Sequence, residues 1–314
     1  MPLPTNPNTR STAMDLAPVL SMGPLSLPIE GRGEDLAYRV SAPAKGDRLP
    51  VILFSHGNGQ SLYTYGPLVN YWASSGFLVI NPTHLDSRMI ALPSDDPRRP
   101  DLWRYREQDM LALLDNLGSI EEAAPFIKGR INHDCIAVAG HSWGAQTASM
   151  FLGATHPDPD DGSTVALRDA RVKAGVLLAV PGTGGGNLSE FAARNFPFMH
   201  PDFSGLETPT LVVAGDNDNG AMTVRGPEWW REAYDLSPGA KALFEVREGE
   251  HSLGGVPNYE ARETTDEDPA RVAAVQRLST AFLLSTLSGS DTAWRAAVSD
   301  VRGAAVSQGI VEEK

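Results

Sequence analysis

The feature that most constrains the fold is an alternation along the chain between short apolar runs and longer stretches with helical spacing. Seven runs are rich in β-branched and aliphatic residues, and we predict a strand in each: residues 36–41, 51–55, 77–81, 136–139, 174–180, 210–214 and 242–246. Because most of these runs are continuously apolar, they are typical of strands buried on both faces. The pattern predicts an α/β fold with a mostly parallel sheet and helices on both faces.

Apolar residues between these runs recur at the spacing of one helical face. Four side chains of one stretch fall at positions i, i+3, i+4 and i+7: Met110, Leu113, Leu114 and Leu117. This spacing predicts a helix over residues 104–117 with its apolar face in the core. Similar stripes follow Pro67 and Pro269, and each predicts a further helix that begins near a proline.

The chain shows no internal repeat and no shift in composition that would mark a linker between two cores. Its 314 residues suffice for one large α/β domain, which we place over residues 16–314. Residues 1–15 are polar and contain several prolines, and we expect them to form a disordered tail. The long segment 181–205 interrupts the alternation, and it is expected either to wall an apolar pocket or to pack back on the sheet edge. The aromatic residues of this segment that we expect in such a pocket wall are Phe191, Phe196 and Phe198.

The charge balance limits the partners that this chain can attract. Its 39 acidic and 26 basic residues give a formal net charge of −13, which repels nucleic acids and anionic membranes at long range. The N-terminal region lacks the apolar segment of a signal peptide, and no stretch is apolar enough for a membrane span. We therefore expect a cytoplasmic protein with no nucleic-acid partner and no membrane partner. The sequence leaves the oligomeric state open.

The segment with the strongest chemical signal joins the apolar run 136–139 to a helical stretch through the pattern Gly140-His-Ser142-Trp-Gly144. A serine on a sharp turn between a strand and a helix adopts a strained backbone and presents its hydroxyl above the sheet. Glycines two positions before and after it let the strand and the helix approach closely. This pattern in this context predicts that Ser142 is a nucleophile.

A serine hydroxyl is a weak nucleophile and needs a base, which in this type of site follows the serine and an acid along the chain. Of the seven histidines, only His251 lies beyond Asp218, and it sits in a glycine-rich loop directly after the predicted strand 242–246. The acid is expected after the preceding strand, where Asp216 and Asp218 are both available. We assign the role to Asp218, and we expect Asp216 to cap the turn through backbone N–H groups.

An acyl-transfer site also needs N–H donors for the negative charge that develops on the substrate oxygen. The backbone N–H of Trp143, directly after the serine, is the expected first donor. The second is expected from Asn58, in the glycine-containing loop after the predicted strand 51–55. His56 in the same loop is expected to be a structural hydrogen-bond partner rather than a catalytic group.

Three motifs together resemble the α/β-hydrolase superfamily: Phe-Ser-His-Gly-Asn-Gly at 54–59, Gly-His-Ser-Trp-Gly-Ala at 140–145, and Gly-Asp-Asn-Asp at 215–218 followed by Gly-Glu-His at 249–251. The chain is most similar to the bacterial branch with platelet-activating-factor-acetylhydrolase-like, chlorophyllase-like and predicted dienelactone-hydrolase-like proteins. In that branch an Arg-x-x-Asp segment like Arg106 to Asp109 precedes the serine. The resemblance spans about residues 35–288. It implies an α/β-hydrolase fold with a mostly parallel eight-stranded sheet, no cofactor, and hydrolysis of an ester through an acyl-enzyme.

The sequence therefore predicts a serine carboxylic-ester hydrolase that acts on small or medium soluble esters. True dienelactone hydrolases have a cysteine where this chain has Ser142, so their particular reaction is not implied. No metal is expected, because the stretch 216–220, which is similar to a calcium loop, has a glycine at a ligand position. Two alternatives stay open: another acyl transfer, such as amide, thioester or polyester cleavage, and a non-catalytic ligand-binding protein with the same fold.

Overall fold

The computed structural model describes residues 16–259 and 264–314. Its strands are β1 (Val19–Leu27), β2 (Leu36–Pro43), β3 (Leu49–Ser55), β4 (Leu78–Pro82), β5 (Ile131–His141), β6 (Thr155–Pro157), β7 (Thr164–Ala166), β8 (Val172–Leu178), β9 (Thr210–Gly215), β10 (Ala240–Val246) and β11 (Gly309–Glu313). Its helices are α1 (Gly66–Ser74), α2 (Leu102–Asp115), α3 (Leu117–Ala123), α4 (Trp143–Leu152), α5 (Glu190–Asn195), α6 (Glu232–Leu236), α7 (Pro269–Ser288) and α8 (Thr292–Gly303). Short 3-10 turns lie at Arg99–Asp101, Pro125–Ile127, Gly185–Asn187 and Pro227–Arg231. The expected tail, residues 1–15, lies outside the described residues.

Nine of these strands form one sheet in the order β1-β2-β4-β3-β5-β8-β9-β10-β11. The six strands from β4 to β10 in this order run parallel to one another. β1, β2 and β11 pair antiparallel with their neighbours, and β6 and β7 form a separate pair. The prediction of a mostly parallel sheet is confirmed. The implied number of eight strands is wrong, because β11 pairs with the open edge of β10 and extends the sheet to nine.

Alternate residues of β3 show that the core has two layers, one on each face of the sheet. Val51 and Leu53 pack in a cluster that includes apolar residues of α2 and α4. Ile52 and Phe54 pack in a second cluster, with apolar residues of α1, α7 and α8. Because both faces of the strand are covered, it is apolar throughout, as strands in such sheets are. Helices on both faces of the sheet, as the sequence predicts, are therefore confirmed.

All seven predicted strands are present, and the strands that the sequence missed lie at the edges or outside the main sheet. β1 is exposed along most of its length, and β11 has alternate exposed residues, so neither shows a continuous apolar run. The predicted helix over 104–117 is two helices, α2 and α3. They are separated at Asn116, whose side-chain amide donates to the carbonyl oxygen of Ala112 at 2.8 Å, a local bond that competes with helix continuation.

The parallel strands bring four loops to one edge of the sheet, because their carboxyl ends all lie there. β3 leads into the loop with Asn58, and β5 leads directly into Ser142. β9 leads into the loop with Asp218, and β10 leads into the loop with His251. None of the helices in the described ranges is both long and apolar enough to cross a membrane.

Candidate active site

Ser142 lies at a sharp turn between β5 and α4, on a backbone that few L residues adopt. Its φ and ψ are 56° and −126°, in the region of positive φ. The two glycines of the motif make this turn possible. A Cβ on Gly140 would lie 2.1 Å from the carbonyl oxygen of Gly144, and one on Gly144 would lie 2.1 Å from that of Ser55. Any larger residue at either position would therefore push α4 away from the sheet.

The structure brings the three predicted catalytic side chains into one hydrogen-bonded row. His251 Nε2 lies 2.8 Å from Ser142 Oγ, and His251 Nδ1 lies 2.8 Å from Asp218 Oδ2. The Asp218 side chain is only 1% exposed, whereas the His251 side chain is 37% exposed and accessible to a substrate. The Trp230 indole N–H donates to the carbonyl oxygen of Asp218 at 2.9 Å, and its ring lies 4.7 Å from the imidazole. A nucleophile, a base and an orienting acid have this arrangement.

The structure corrects the role expected for Asp216. Its carboxylate is exposed and accepts no hydrogen bond within the part of the chain that the structure describes. Its backbone N–H donates to the carbonyl oxygen of Val246 at 3.0 Å, so the residue still continues the pairing of β9 with β10. Asp218 caps the turn instead, because its Oδ1 accepts from the N–H of Gly220 at 3.2 Å.

Two backbone N–H groups that line one cavity, those of Asn58 and of Trp143 directly after the serine, donate to no acceptor among residues 16–259 and 264–314. Trp143 is the first residue of α4, where N–H groups lack intrahelical acceptors and the helix dipole adds partial positive charge. Asn58 lies in the loop after β3, which we call the oxyanion loop (residues 56–59). Free N–H donors beside the nucleophile are what a developing oxyanion requires.

A chain of hydrogen bonds that the sequence analysis missed joins the oxyanion loop to the loop that carries His251. The N–H of Gly57 donates to the Tyr65 hydroxyl at 3.0 Å, and this hydroxyl donates to His141 Nδ1 at 2.8 Å. His141 Nε2 in turn donates to the carbonyl oxygen of His251 at 2.7 Å. A carbonyl oxygen only accepts, so Nε2 carries the proton of a neutral ring. Burial, with a smaller effect of His251, lowers the pKa of His141 to about 3.

A buried ion pair forms hydrogen bonds with the backbone of the oxyanion loop. Arg106 on α2 donates to the carbonyl oxygens of His56 and Gly57 at 2.8 and 3.3 Å. It also pairs with Asp86 at 2.8 Å, and Asp86 accepts from the N–H of Gly59 at 2.8 Å. Burial alone would raise the pKa of Asp86, but the Arg106 guanidinium outweighs it and leaves the pKa below its usual value. The pair thus stays ionised while it fixes the loop.

Asp109, at the other end of the Arg-x-x-Asp segment, forms a second buried pair with Arg32 at 2.6 Å. It also accepts from His84 Nδ1 at 2.9 Å, and His84 Nε2 lies 3.0 Å from the hydroxyl of Ser55 at the end of β3. Burial raises the pKa of Asp109 to about 6 against the opposing effect of Arg32, and burial lowers that of His84 well below its usual value. His56 accepts from the N–H of His84 at 3.0 Å, the structural position expected for it.

The loop that carries His251 is held by one further carboxylate. Asp266 Oδ2 accepts from the N–H groups of Glu250 and Gly254, on either side of the histidine, at 2.8 and 2.9 Å. The backbone carbonyl of Asp266 accepts from Arg271 on α7 at 2.8 Å. Asp266 therefore connects the loop to α7.

A cavity of about 880 Å³ opens beside the two free N–H donors. Trp143, Phe196 and Phe198 line it, so part of the segment 181–205 walls a pocket. Phe191 does not line it: this side chain is 57% exposed, and its ring lies 6.0 Å from that of Phe196. The expected position of Phe191 in the wall is corrected, because the short helix α5 places it on the solvent side.

The assembled groups supply the parts that nucleophilic acyl transfer requires: a hydroxyl, an adjacent base that a carboxylate orients, and two N–H donors. Within the described ranges, no group of three or more His, Cys, Asp or Glu side chains could hold a metal ion.

Parts of this chain are similar to known proteins. Residues 26–97, which include β2, β3 and the oxyanion loop, match the family described as platelet-activating factor acetylhydrolase, isoform II. The chain is also similar to a protein of Schizosaccharomyces pombe named "Putative phospholipase A2", with 26% identity over 161 residues. That match covers 36% of this chain and 37% of the relative, so the chain spans little more than a third of that curated relative. The sheet and the family match together show the α/β-hydrolase fold.

Tyr65→Phe tests the hydrogen-bonded chain, because it removes the hydroxyl between Gly57 and His141 and keeps the ring. We expect an organophosphonate to label Ser142 about 10-fold to 100-fold more slowly, since small displacements of reacting groups have effects of this size. Tyr63→Phe, at an exposed tyrosine two positions earlier, is the matched control and should leave the rate unchanged. Mass spectrometry of labelled protein over time measures both rates. Equal rates in the two variants would show that this chain of bonds does not position the site.

His141 should make the protein less stable in acid. Its pKa is about 3 in the folded protein, against roughly 6.5 for an unfolded histidine, so the unfolded state binds more protons between these values. The free energy of unfolding then decreases as the pH falls through this window, by up to about 1.4 kcal/mol per pH unit for one histidine.

His141→Gln removes this titration and keeps a donor group, so its free energy of unfolding should fall less steeply between about pH 5.5 and 4.5. Urea denaturation at several pH values measures the slope. The control is His133→Gln, at a histidine that is 53% exposed, and it should keep the slope of the unchanged protein. If the two variants showed the same slope, the buried histidine would not be the source of acid sensitivity.

Proposed function

We propose that this chain is a serine hydrolase that cleaves carboxylic esters through an acyl-enzyme. The observation that carries the proposal is the row of hydrogen bonds from Ser142 through His251 to Asp218, beside two N–H groups without acceptors. A protein that only binds ligands has no use for a base on a strained serine. The match to an acetylhydrolase family and the name of the yeast relative support an ester as the bond that is cleaved.

In the first half-reaction, His251 Nε2 accepts the hydroxyl proton of Ser142 as Oγ attacks the carbonyl carbon of the ester. The N–H groups of Asn58 and Trp143 stabilise the oxyanion of the tetrahedral intermediate. His251 then donates the proton to the leaving oxygen, the carbon–oxygen bond breaks, and the alcohol departs. Asp218 accepts from Nδ1–H throughout and stabilises the imidazolium that forms.

In the second half-reaction, water takes the place of the alcohol. His251 accepts one proton from the water as the water oxygen attacks the acyl carbon, and a second oxyanion forms at the same two N–H groups. His251 then returns this proton to Oγ of Ser142 as the acyl bond breaks. The products are the carboxylic acid and the free serine.

In this proposal the substrates are small or medium soluble esters. The cavity of about 880 Å³ is within the range that small-molecule sites occupy, and the net charge of −13 opposes binding to anionic bilayers. The name of the yeast relative favours a second candidate, the acyl ester of a phospholipid. A sharp rise in rate above the critical micelle concentration of a long-chain ester would favour this second candidate.

Ser142→Ala should abolish hydrolysis of 4-nitrophenyl acetate while the thermal midpoint stays near that of the unchanged protein. Loss of the nucleophile in related sites lowers turnover by about 10⁴-fold or more. An organophosphonate should label Ser142 and no other serine, which peptide mapping measures. Labelling elsewhere, together with activity that survives in the alanine variant, would contradict the proposal.

Asp218→Asn and Asp216→Asn separate the two neighbouring carboxylates. Asp218→Asn should lower turnover by roughly 10⁴-fold, because an amide at this position favours the wrong imidazole tautomer. Asp216→Asn is the matched control, and since its carboxylate is exposed we expect near-normal turnover and a change in stability within about 0.5 kcal/mol. Turnover and thermal midpoints of both variants measure this. A large loss at Asp216 with normal turnover at Asp218 would reverse the assignment.

A further inference from the structure

The cavity is lined by Trp143, the residue directly after Ser142, whereas Ser142 itself is not among the lining residues within the described ranges. The lining comes from residues 85–103, 159–160 and 194–198, together with Asn58 and Trp143, whose N–H groups face the developing oxyanion in the proposed mechanism. No residue of the loop that carries His251 is among the lining residues within the described ranges. In the proposed reaction the leaving oxygen must lie next to His251 to receive its proton. The cavity therefore takes the acyl part of the ester.

The inner wall of this cavity is a set of stacked aromatic rings. The ring of Phe198 lies 5.0 Å from that of Trp143 at an interplanar angle of 28°, and 6.3 Å from that of Trp103 at the same angle. Phe196 meets Trp143 edge-on at 5.6 Å. Such a wall favours an apolar or aromatic body in the acyl group.

Two arginines that line the same cavity have no carboxylate partner in the described part of the chain. The guanidinium of Arg99 donates to the carbonyl oxygens of Leu92 and Pro93, both at 2.6 Å, and its charge interacts with Asp96 only at longer range. Arg194 has no hydrogen-bond or ion-pair partner among the described residues. Arg88 also lines the cavity, but it already interacts with another group of the protein, so it is not counted with these two.

The acidic residues of the lining do not neutralise these two arginines. Asp86 is buried and pairs with Arg106 at 2.8 Å, and Asp160 lies 3.8 Å from Arg104. The side chains of these two arginines are both exposed, so their guanidinium groups are accessible to an anion that enters the cavity. A planar guanidinium binds a carboxylate through two parallel N–H bonds.

We infer that the acyl group of the natural substrate carries a carboxylate, which Arg194 and Arg99 bind, on an apolar or aromatic body that packs against the ring wall. The substrate class is a monoester of a dicarboxylic acid. This inference rests on the proposed ester hydrolysis and adds the chemistry of the acyl group to it.

The test compares matched esters that differ only in charge. One pair is the 4-nitrophenyl monoester of adipic acid and the 4-nitrophenyl ester of adipamic acid, and the second pair is the corresponding terephthalic and terephthalamic esters. The terminal carboxamide has nearly the size of the carboxylate without its charge. We expect kcat/KM to be about tenfold higher for the acids, the size expected for charge-assisted hydrogen bonds. Added salt should reduce this ratio, because it screens exposed charges.

Arg194→Gln should remove most of the preference for the acids, so kcat/KM should fall more for the acids than for the amides measured on the same protein, and the thermal midpoint serves as the control for folding. Arg194→Glu should reverse the preference. The matched control is Arg295→Gln on α8, an arginine 78% exposed, which changes the net charge equally and should leave the preference intact. Arg99→Gln is a less specific test than Arg194→Gln, because Arg99 also donates hydrogen bonds to backbone carbonyl oxygens of its own loop.

A further pair places the charge on the leaving group: the acetate esters of 4-hydroxybenzoic acid and of 4-hydroxybenzamide. We expect no preference for the acid of this pair. A preference confined to the leaving group, equal rates for the adipic pair, or a preference that survives Arg194→Glu would overturn the inference and leave ester hydrolysis standing. If no ester is cleaved faster by the unchanged protein than by Ser142→Ala, the proposed function fails and the inference with it.

Discussion

The geometry of the site depends on one close contact, that of the first turn of α4 with the ends of β3 and β5. Gly140 and Gly144 leave no side chain at this contact, so backbone meets backbone. As a result the nucleophile and the N–H of Trp143 lie beside the oxyanion loop. The positive φ of Ser142 persists because the sheet and the helix on either side impose it.

Beneath this contact, the buried charged side chains form ion pairs, and the buried histidines are neutral. Two buried ion pairs lie here, Arg106–Asp86 and Arg32–Asp109. The free energy lost when the charges leave water offsets most of their attraction, so such pairs add little to the net free energy of folding. The Arg106–Asp86 pair does supply directional hydrogen bonds to specific backbone groups of the oxyanion loop, whereas Arg32 donates to the carbonyl oxygen of Thr83. A neutral His141 complements them, because it donates to one loop and accepts from Tyr65 on the other side. The site is therefore held by directional bonds on a rigid framework.

The sequence predicts those parts of the molecule that a local pattern of residues is enough to identify. Buried strands show as apolar runs, and Ser142 is found from the glycines around it. β1 and β11 face solvent and depend on a partner strand, so no local pattern reveals them. The link between Tyr65 and His141 joins residues 76 positions apart, and Arg106 acts through a loop 50 positions earlier, so neither role is visible in the chain alone. Phe191 was misplaced because spacing does not determine which side of a six-residue helix faces a pocket.

The two walls of the cavity differ in how freely their amino-acid sequences can change. The wall at residues 85–103 includes Asp86, which accepts a hydrogen bond from the oxyanion loop, so changes that move this wall also move that loop. The wall at residues 194–198 meets the rest of the site through ring packing and a hydrogen bond from Gln146 to the carbonyl oxygen of Phe198 at 3.0 Å. Apolar packing tolerates exchange of similar side chains better than a buried ion pair does. If the proposed reaction is the natural one, new acyl preferences can therefore evolve, or be engineered, in the second wall while the groups around Ser142 stay unchanged.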